Sequence, residues 1–496
     1  MAVDRWQVRL TPTRLRVPRR SQSFVDVLPA GEWGAWLARS GVRPGTPFLL
    51  SPDYTYDVEL NEFFQNVRLL ASASNTQVGY ARDIAGFLTF LWSSRGKRSW
   101  RNADESDHLS YLYWRRTDPD GPRVAASTWN REVAAVNRLY QWAVGVGYLQ
   151  SSPIPQTGRR PAPVEAGWIN RRSQDEQRPA TYAHSARRHR IEWLAPNEYR
   201  RWRDVGVRGF AASDVLSDSF RGRWSARNAV FCDLMVRTGL RLSEQASLTV
   251  FEIPTVRSGG YQRFWLPASI AKGGSARWIY VPVSVVSDLM AYAAVDRRAV
   301  IDDARVRYQR TTGVYVVDDL QRPGSAVRIG SASPQRRVKV AELNGSERRS
   351  LLVDGPAGLE PALFWLGEHG GPLSKSLWSK VFADANRRCV VQGVKLSAHP
   401  HLLRHTFAVV TLEQLQRGHI ASLSGMTSVQ RGHYTRVFGD PLDWVRRRLG
   451  HRSVVTTQNY LHALAELEMH TRMELVPDDW DDPSSIAADD LADDES

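Results

Sequence analysis

Four short segments of this chain carry side chains suited to handling a phosphate group. In Arg237-Thr238-Gly239-Leu240-Arg241-Leu242-Ser243-Glu244 an apolar helical run ends, turns at Gly239 and restarts with Ser243 or its neighbour as cap. That turn projects Arg241 from a fixed backbone. A planar guanidinium can grip two phosphate oxygens at once, and Glu244, one helical turn on, can hold it in place. In Ile270-Ala271-Lys272-Gly273-Gly274-Ser275-Ala276-Arg277-Trp278 two β-prone runs flank a Gly-Gly pair, a hairpin signal that puts Lys272 at the tip, within reach of a bound substrate. A phosphate-binding P-loop is excluded, because no GxxxxGK pattern is present there. In His399-Pro400-His401-Leu402-Leu403-Arg404-His405, Pro400 suits a helix start. His401 and Arg404 then share a face, a proton-transferring imidazole beside a second guanidinium. His401 and His405 have the spacing of metal ligands, but Leu402 occupies the place of the glutamate in H-E-x-x-H, so no metal site is expected. The fourth segment, Leu449-Gly450-His451 onward, turns at Gly450 into a short helix that carries Tyr460 nine residues after His451.

These side chains need elements to position them. Tyr80, Ile84, Phe87, Leu88 and Leu91 have helical spacing after a cap at Asn75, and Trp129, Val133, Val136, Tyr140 and Ala143 mark a second amphipathic helix, opened by Ser127 or Thr128 and closed near Gly147. Together they predict a small helical domain over about 53–150. Residues 1–52, broken by Pro44, Gly45 and Pro47, are given no role. Residues 151–190 read as a basic linker, with Arg159, Arg160, Arg171, Arg172, Arg187 and Arg188 able to lie along a phosphate backbone. A larger domain begins near Ile191, with helices around 198–204 and 227–237, strands at 264–266 and 278–281, and further helices. The stretch from Val300 to Glu360, rich in arginine and turns, and the one from Gly418 to Val437 look inserted.

Composition sets the partner class. The 496 residues are 42% hydrophobic and 24% charged, enough for two or three ordinary cores, and Cys232 and Cys389 are too few for a disulfide framework or a four-cysteine zinc site. No apolar run reaches the roughly 18 residues of a membrane span, and the N-terminus lacks the apolar core of a secretory signal, so a cytoplasmic location is expected. The net charge of +14 becomes +23 once the nine acidic residues of Asp478–Ser496 are set aside; that tail is expected to be disordered or to dock. Nucleic acid is the first partner such an excess implies. Arginines outnumber lysines sixty to six, so a lysine at a turn stands out.

Each segment taken singly has an ordinary structural explanation. Their order does not: Arg in T-G-L-R-x-S-E, Lys in K-G-G, H-x-L-R-H-T, then L-G-H followed by Tyr closely resembles the tyrosine recombinase (phage-type integrase) family over about 191–470. The helical region 53–150, including Arg131 beside Trp129 and Asn130, resembles that family's core-binding domain, of SAM-like type. The resemblance implies a mainly α fold with a small β-sheet (α+β): a helical core-binding domain and a mixed α/β catalytic domain (191–476, insertion near 300–360), followed by the acidic tail 477–496. Carried over, Tyr460 matches the nucleophile, Arg241 and Arg404 the phosphate-binding arginines, Lys272 the hairpin lysine, His401 and His451 the two histidines, and Glu244 an acidic support. Arg131 and the six linker arginines become DNA contacts. The implied chemistry is site-specific cutting and rejoining of DNA through a 3′-phosphotyrosyl bond, without metal or cofactor. Partners would be double-stranded recombination sites, a homotetramer on DNA, and accessory DNA-bending or directionality proteins. Integration or excision of a mobile element is the preferred purpose; alternatives are a chromosomal Xer-like recombinase, a type IB topoisomerase-like enzyme, and a non-catalytic DNA-binding protein of the same fold. The 128 residues between Lys272 and His401 depart from compact members.

Overall fold

The computed structural model describes residues 4–13, 33–157, 178–183, 191–213, 215–217, 220–311, 314–319, 324–328, 337–424, 440–453, 456–458, 460, 461 and 463, with backbone alone for 419–424. It divides into two compact units, 1–189 and 190–496. Among the described residues no helix is long and apolar enough to cross a membrane.

In the first unit the two helices expected from apolar spacing run over Ser74–Ser94 and Ala126–Gly145. Ile84, Phe87, Leu88 and Leu91 of the first meet Trp129, Val133, Val136, Tyr140 and Ala143 of the second in one core. The starts differ from expectation. Ala73 and Ala125 hold the extended cap positions, which places Asn75, Ser127 and Thr128 within the first turns. A third helix, Glu105–Arg116, opens on a reciprocal cap between Asp104 and Asp107.

The expected boundary at residue 52 does not separate anything. Strands β1 (Gln7–Leu10) and β2 (Pro47–Leu50) pair antiparallel, and Leu49, fully buried, belongs to the same core as Leu60 and Phe64. The described ends of the basic linker are also anchored. Strands β3 (Gln156–Thr157) and β4 (Arg178–Pro179) pair, Ile154 is buried in the helical core, and the Trp129 indole donates to the Thr181 carbonyl at 2.8 Å. An indole N–H buried on a core helix needs an acceptor, and this backbone supplies it. The linker's six candidate arginines and the acidic tail lie outside the described residues.

The second unit is built around the helix Ser225–Thr238, buried on nearly all sides. Phe231 stacks on Trp378 with ring centroids 3.5 Å apart, and Trp202, Trp365 and Phe382 complete an aromatic centre. Strands β5 (Tyr261–Leu266) and β6 (Arg277–Pro282) pair in register from Tyr261 opposite Pro282 to Leu266 opposite Arg277. Their alternation puts Phe264, Leu266, Ile279 and Val281 into the core.

The stretch that looks inserted is a folded subdomain. After the helix Arg298–Gln309, strands β7 (Tyr315–Val317), β8 (Ser325–Arg328), β9 (Arg337–Lys339), β10 (Leu351–Gly355) and β11 (Gly358–Pro361) form a sheet in the order β11-β10-β7-β8-β9, with β10 and β7 parallel. Its core comprises Val317, Ala326, Val340, Leu343, Leu351, Val353 and Ala362. Arg348, fully buried, ties it to the body by bonding Glu252 at 2.9 Å and the carbonyls of Leu343 and Val340. Of the second stretch that looks inserted, 418–424 continues the helix Pro400–Ser424, and 425–437 lies outside the described residues.

Candidate active site

Two glycine turns set the site. The helix Ser225–Thr238 ends at Gly239 (φ 65°), and a side chain there would run into the Phe407 ring, so both the backbone angle and the space require glycine. The chain then extends through Arg241 and begins the short helix Leu242–Gln245. The cap is not Ser243. The Glu244 carboxylate accepts from the Arg241 backbone N–H at 3.0 Å and from its guanidinium at 3.0 Å. The second turn, Gly450 (φ 64°), closes the helix Pro441–Leu449, and His451 follows it.

Glu244, fully buried, is the hub of the positive side chains. It accepts from Arg277 at 2.7 Å and from the Lys272 backbone N–H at 3.1 Å. Burial would raise its carboxyl, but the Arg277 charge and the bonds from Arg277 and Arg241 outweigh burial and pull the pKa to about 2. Sequence reasoning missed Arg277, which is itself buried and braced by the Arg448 carbonyl at 2.8 Å and the Ser275 carbonyl at 3.1 Å. Lys272 opens a turn over Lys272–Gly274, its side chain exposed. The Gly-Gly pair is not a two-residue hairpin turn: the strands stop at Leu266 and Arg277, and Ile270 and Ala271 tuck into the core between them.

The helix Pro400–Ser424 starts at Pro400 as expected, and the His399 ring caps it by accepting from the Leu402 N–H at 3.2 Å. His401 is exposed on its first turn, and Arg404 is 1% exposed on the inner face. Arg404 donates to the Gly239 carbonyl, to the Leu449 carbonyl at 2.6 Å and to His451 Nε2 at 3.3 Å. Burial, with the nearby Arg241 charge, depresses its guanidinium to about 9.

A guanidinium has no acceptor, so His451 Nε2 receives the Arg404 bond unprotonated, and Nδ1–H is left to donate to the Thr457 hydroxyl at 3.0 Å. Burial first, then the Arg404 and Arg241 charges, pushes His451 down to about 3. Tyr460, 3% exposed, packs with Phe407, Val445 and Leu449, and its hydroxyl shares a hydrogen bond with His405 Nδ1 at 2.9 Å. Burial raises the phenol pKa against the opposing pull of Arg404 and Arg241. His405, unmarked by sequence reasoning except in the rejected metal pattern, is held at about 4 by burial, then by His401, Arg404 and His399.

Arg241, Lys272, Arg404, His451 and Tyr460 thus converge with Glu244, and the charges of Arg404, Arg241 and Lys272 also reach His401. Three guanidiniums (Arg241, Arg277 and Arg404) act on one carboxylate, with Lys272 on the neighbouring turn, a surplus of positive charge suited to an anion. Arg131, in the first unit, is half exposed and pairs with Asp83 at 2.5 Å; burial of Asp83 raises that carboxyl to about 6.

The neutral histidines make the fold acid-sensitive. A histidine whose folded pKa lies below its unfolded value stabilises fully above about 6.5, and this contribution is lost as pH falls toward the folded value. His405 and His451 both act in that sense, and Glu244 adds the same slope below its unfolded 4.5. The urea midpoint of the second unit's transition is expected to fall from pH 7.5 to pH 5. Equal midpoints would mean that the two rings are not held neutral.

Residues 60–147 match the family model described as the phage integrase N-terminal SAM-like domain. The chain is 25% identical to tyrosine recombinase XerD of Mycobacterium tuberculosis strain H37Rv over 402 residues, 80% of this chain and 90% of that protein. With tyrosine recombinase XerD of Corynebacterium glutamicum it shares 34% identity over 156 residues, 30% of this chain and 42% of that protein, so this match spans less than half of that relative's length. Among solved structures, the post-cleavage complex of the XerH site-specific recombinase with palindromic difH substrate aligns at 15% identity over 81% of this chain and 80% of that one, TM-score 0.43. The Tn1549 transposon integrase in complex with a circular intermediate DNA aligns at 12% identity over 83% of this chain and 99% of that one, TM-score 0.44. With the SAM-like domain in its first unit and a match to XerD long enough to enter both, the chain is similar to tyrosine recombinases along most of its length.

Proposed function

We propose that this protein is a site-specific recombinase that transfers DNA strands through Tyr460. The observation that carries the reading is the buried Arg404 guanidinium, held by two carbonyls and a ring nitrogen, with no carboxylate bonded to it among the described residues, beside the Tyr460 phenol. A cation fixed in that way costs no reorganisation when charge develops on a phosphorane. Tyr460 attacks the scissile phosphorus, forming a 3′-phosphotyrosyl bond and releasing a 5′-oxygen; the 5′-hydroxyl of another strand reverses the step. Arg241 and Arg404 hold the non-bridging oxygens. Lys272, exposed on its turn, protonates the leaving 5′-oxygen, His401 orients the phosphate, and His451 does so through Arg404, which its Nε2 holds. Because the ester stores the bond, neither metal nor nucleotide is needed.

Exchange between two duplexes requires four strand cuts, so the working form is a homotetramer on paired DNA sites, with accessory DNA-bending or directionality proteins as further partners. Arg131 and the linker arginines Arg159, Arg160, Arg171, Arg172, Arg187 and Arg188 supply backbone contacts in this reading. We favour integration or excision of a mobile element over chromosomal resolution, on the strength of the additional sheet subdomain at 315–361.

The test is a nicked DNA duplex bearing the protein's own site, incubated with the protein in EDTA. A covalent adduct is expected, with DNA attached to the peptide containing Tyr460. No adduct on the true site would favour a DNA-binding protein without turnover, and loss of cleavage in EDTA would point to a metal nuclease.

A further inference from the structure

We infer that His405 is the general base that takes the proton of Tyr460, a role that rests on the strand-transfer reading above. Among the described side chains, the hydrogen bond of the Tyr460 hydroxyl goes to His405 Nδ1, at 2.9 Å. The other two histidines are placed for different work. Both nitrogens of His451 are engaged, Nε2 by Arg404 and Nδ1 by Thr457, and its ring lies parallel to the Tyr460 ring at a centroid distance of 6.2 Å. His401 is exposed and meets His405 edge to face at 4.3 Å between ring centroids.

The step balances within the site. As the phenol oxygen bonds to phosphorus, its proton passes to His405 Nδ1 and the P–O5′ bond breaks; the 5′-oxygen receives a proton from Lys272. In the reverse direction an incoming 5′-hydroxyl gives its proton to the now neutral Lys272 amine as its oxygen bonds to phosphorus, the P–O bond to Tyr460 breaks, and His405 returns a proton to the phenolate. Geometry of this kind is the first requirement of a base, ahead of its pKa.

The surroundings of His405 also make the base conditional. His401, Arg404 and His399 face it, and together with burial they keep it neutral and weakly basic in the free protein. A phosphate bound between Arg241 and Arg404 brings negative charge to the same place and strengthens the base when there is something to attack. Deprotonation of the nucleophile is thereby tied to occupancy of the phosphate site.

The experiment compares single-turnover adduct formation on nicked DNA for the wild type, His405→Ala, His405→Gln and Lys272→Ala, with DNA binding followed by mobility shift. His405→Ala and His405→Gln are expected to bind DNA as the wild type does and to form the adduct roughly 10²- to 10⁴-fold more slowly. Added imidazole should partly restore His405→Ala. A substrate with sulfur in place of the bridging 5′-oxygen separates the base from the acid: a thiolate leaves without protonation, so Lys272→Ala should recover on it and the His405 variants should not. Adduct formation by His405→Ala within threefold of the wild-type rate would overturn the assignment. So would full activity of His405→Gln, which restores a hydrogen bond without a useful base, or recovery of the His405 variants on the sulfur substrate. An inactive wild type would instead remove the strand-transfer reading and this role with it.

Discussion

Tyr460→Phe is expected to take covalent adduct formation below detection while leaving the fold almost unchanged. The substitution removes one oxygen. The ring stays packed against Phe407, Val445 and Leu449, so the apolar contribution of a side chain 3% exposed is kept. What is lost structurally is one hydrogen bond to His405, a change of about 1 kcal/mol in stability. What is lost chemically is the only atom of that side chain able to bond to phosphorus, so the reaction has no covalent route. Thermal or urea unfolding, DNA binding and adduct formation should be measured together. Retention of strand transfer by Tyr460→Phe, with a well-folded protein, would mean that another residue is the nucleophile.

Glu244→Ala should do the opposite, disrupting the fold more than any other single change near the site. The carboxylate is fully buried and serves the Arg277 guanidinium, the Arg241 guanidinium and backbone, and the Lys272 backbone. Removing it leaves the buried Arg277 cation without a counter-charge, its remaining bonds going to the Arg448 and Ser275 carbonyls, a defect that typically costs about 3–5 kcal/mol. That is a large share of a typical domain's total stability of roughly 5–15 kcal/mol. Both the turn that carries Arg241 and the turn that carries Lys272 lose their anchor, so catalysis should fall together with stability. Chemical denaturation of the purified variant tests this, with Glu244→Gln as the milder comparison. A loss below about 1 kcal/mol would mean that Arg277 finds water when Glu244 is gone. Replacing both Glu244 and Arg277 by apolar residues of similar volume should recover much of the stability and none of the activity.

Most of the side chains that meet at the candidate site were legible because each sits in a local pattern: Arg241 after Gly239, Lys272 before a Gly-Gly pair, Arg404 one turn after His401, Tyr460 a fixed step after His451. The helices were legible for a similar reason, since the apolar faces of Ser74–Ser94 and Ala126–Gly145 repeat with helical spacing over many residues. Arg277 was hidden. It is one of sixty arginines, and its importance depends on a carboxylate 33 residues away that only the fold brings within 2.7 Å. His405 was hidden by its neighbours, since the spacing of His401 to Arg404 drew attention first and the Tyr460 hydroxyl meets it from 55 positions along the chain. The sheet of 315–361 was hidden by geometry. Its strands are three to five residues long, too short for a period-two pattern, and its parallel pair β7 and β10 joins residues 36 apart in sequence.

The hydrogen bonds of Arg404 make one mechanical piece out of two distant turns. The carbonyls it binds belong to Gly239 and Leu449, at the ends of two helices, and the second helix leads through His451 into the segment bearing Tyr460. Gly239 and Gly450 touch no DNA in the proposed mechanism, yet a distortion of either displaces an acceptor, or the neighbour of an acceptor, of the buried Arg404 guanidinium. Random mutagenesis screened for lost recombination should therefore gather inactive variants at these two glycines, in proteins whose chemical groups are all still present. The tolerance of the chain to sequence change is thus set here by a shared joint, and not by contact with substrate.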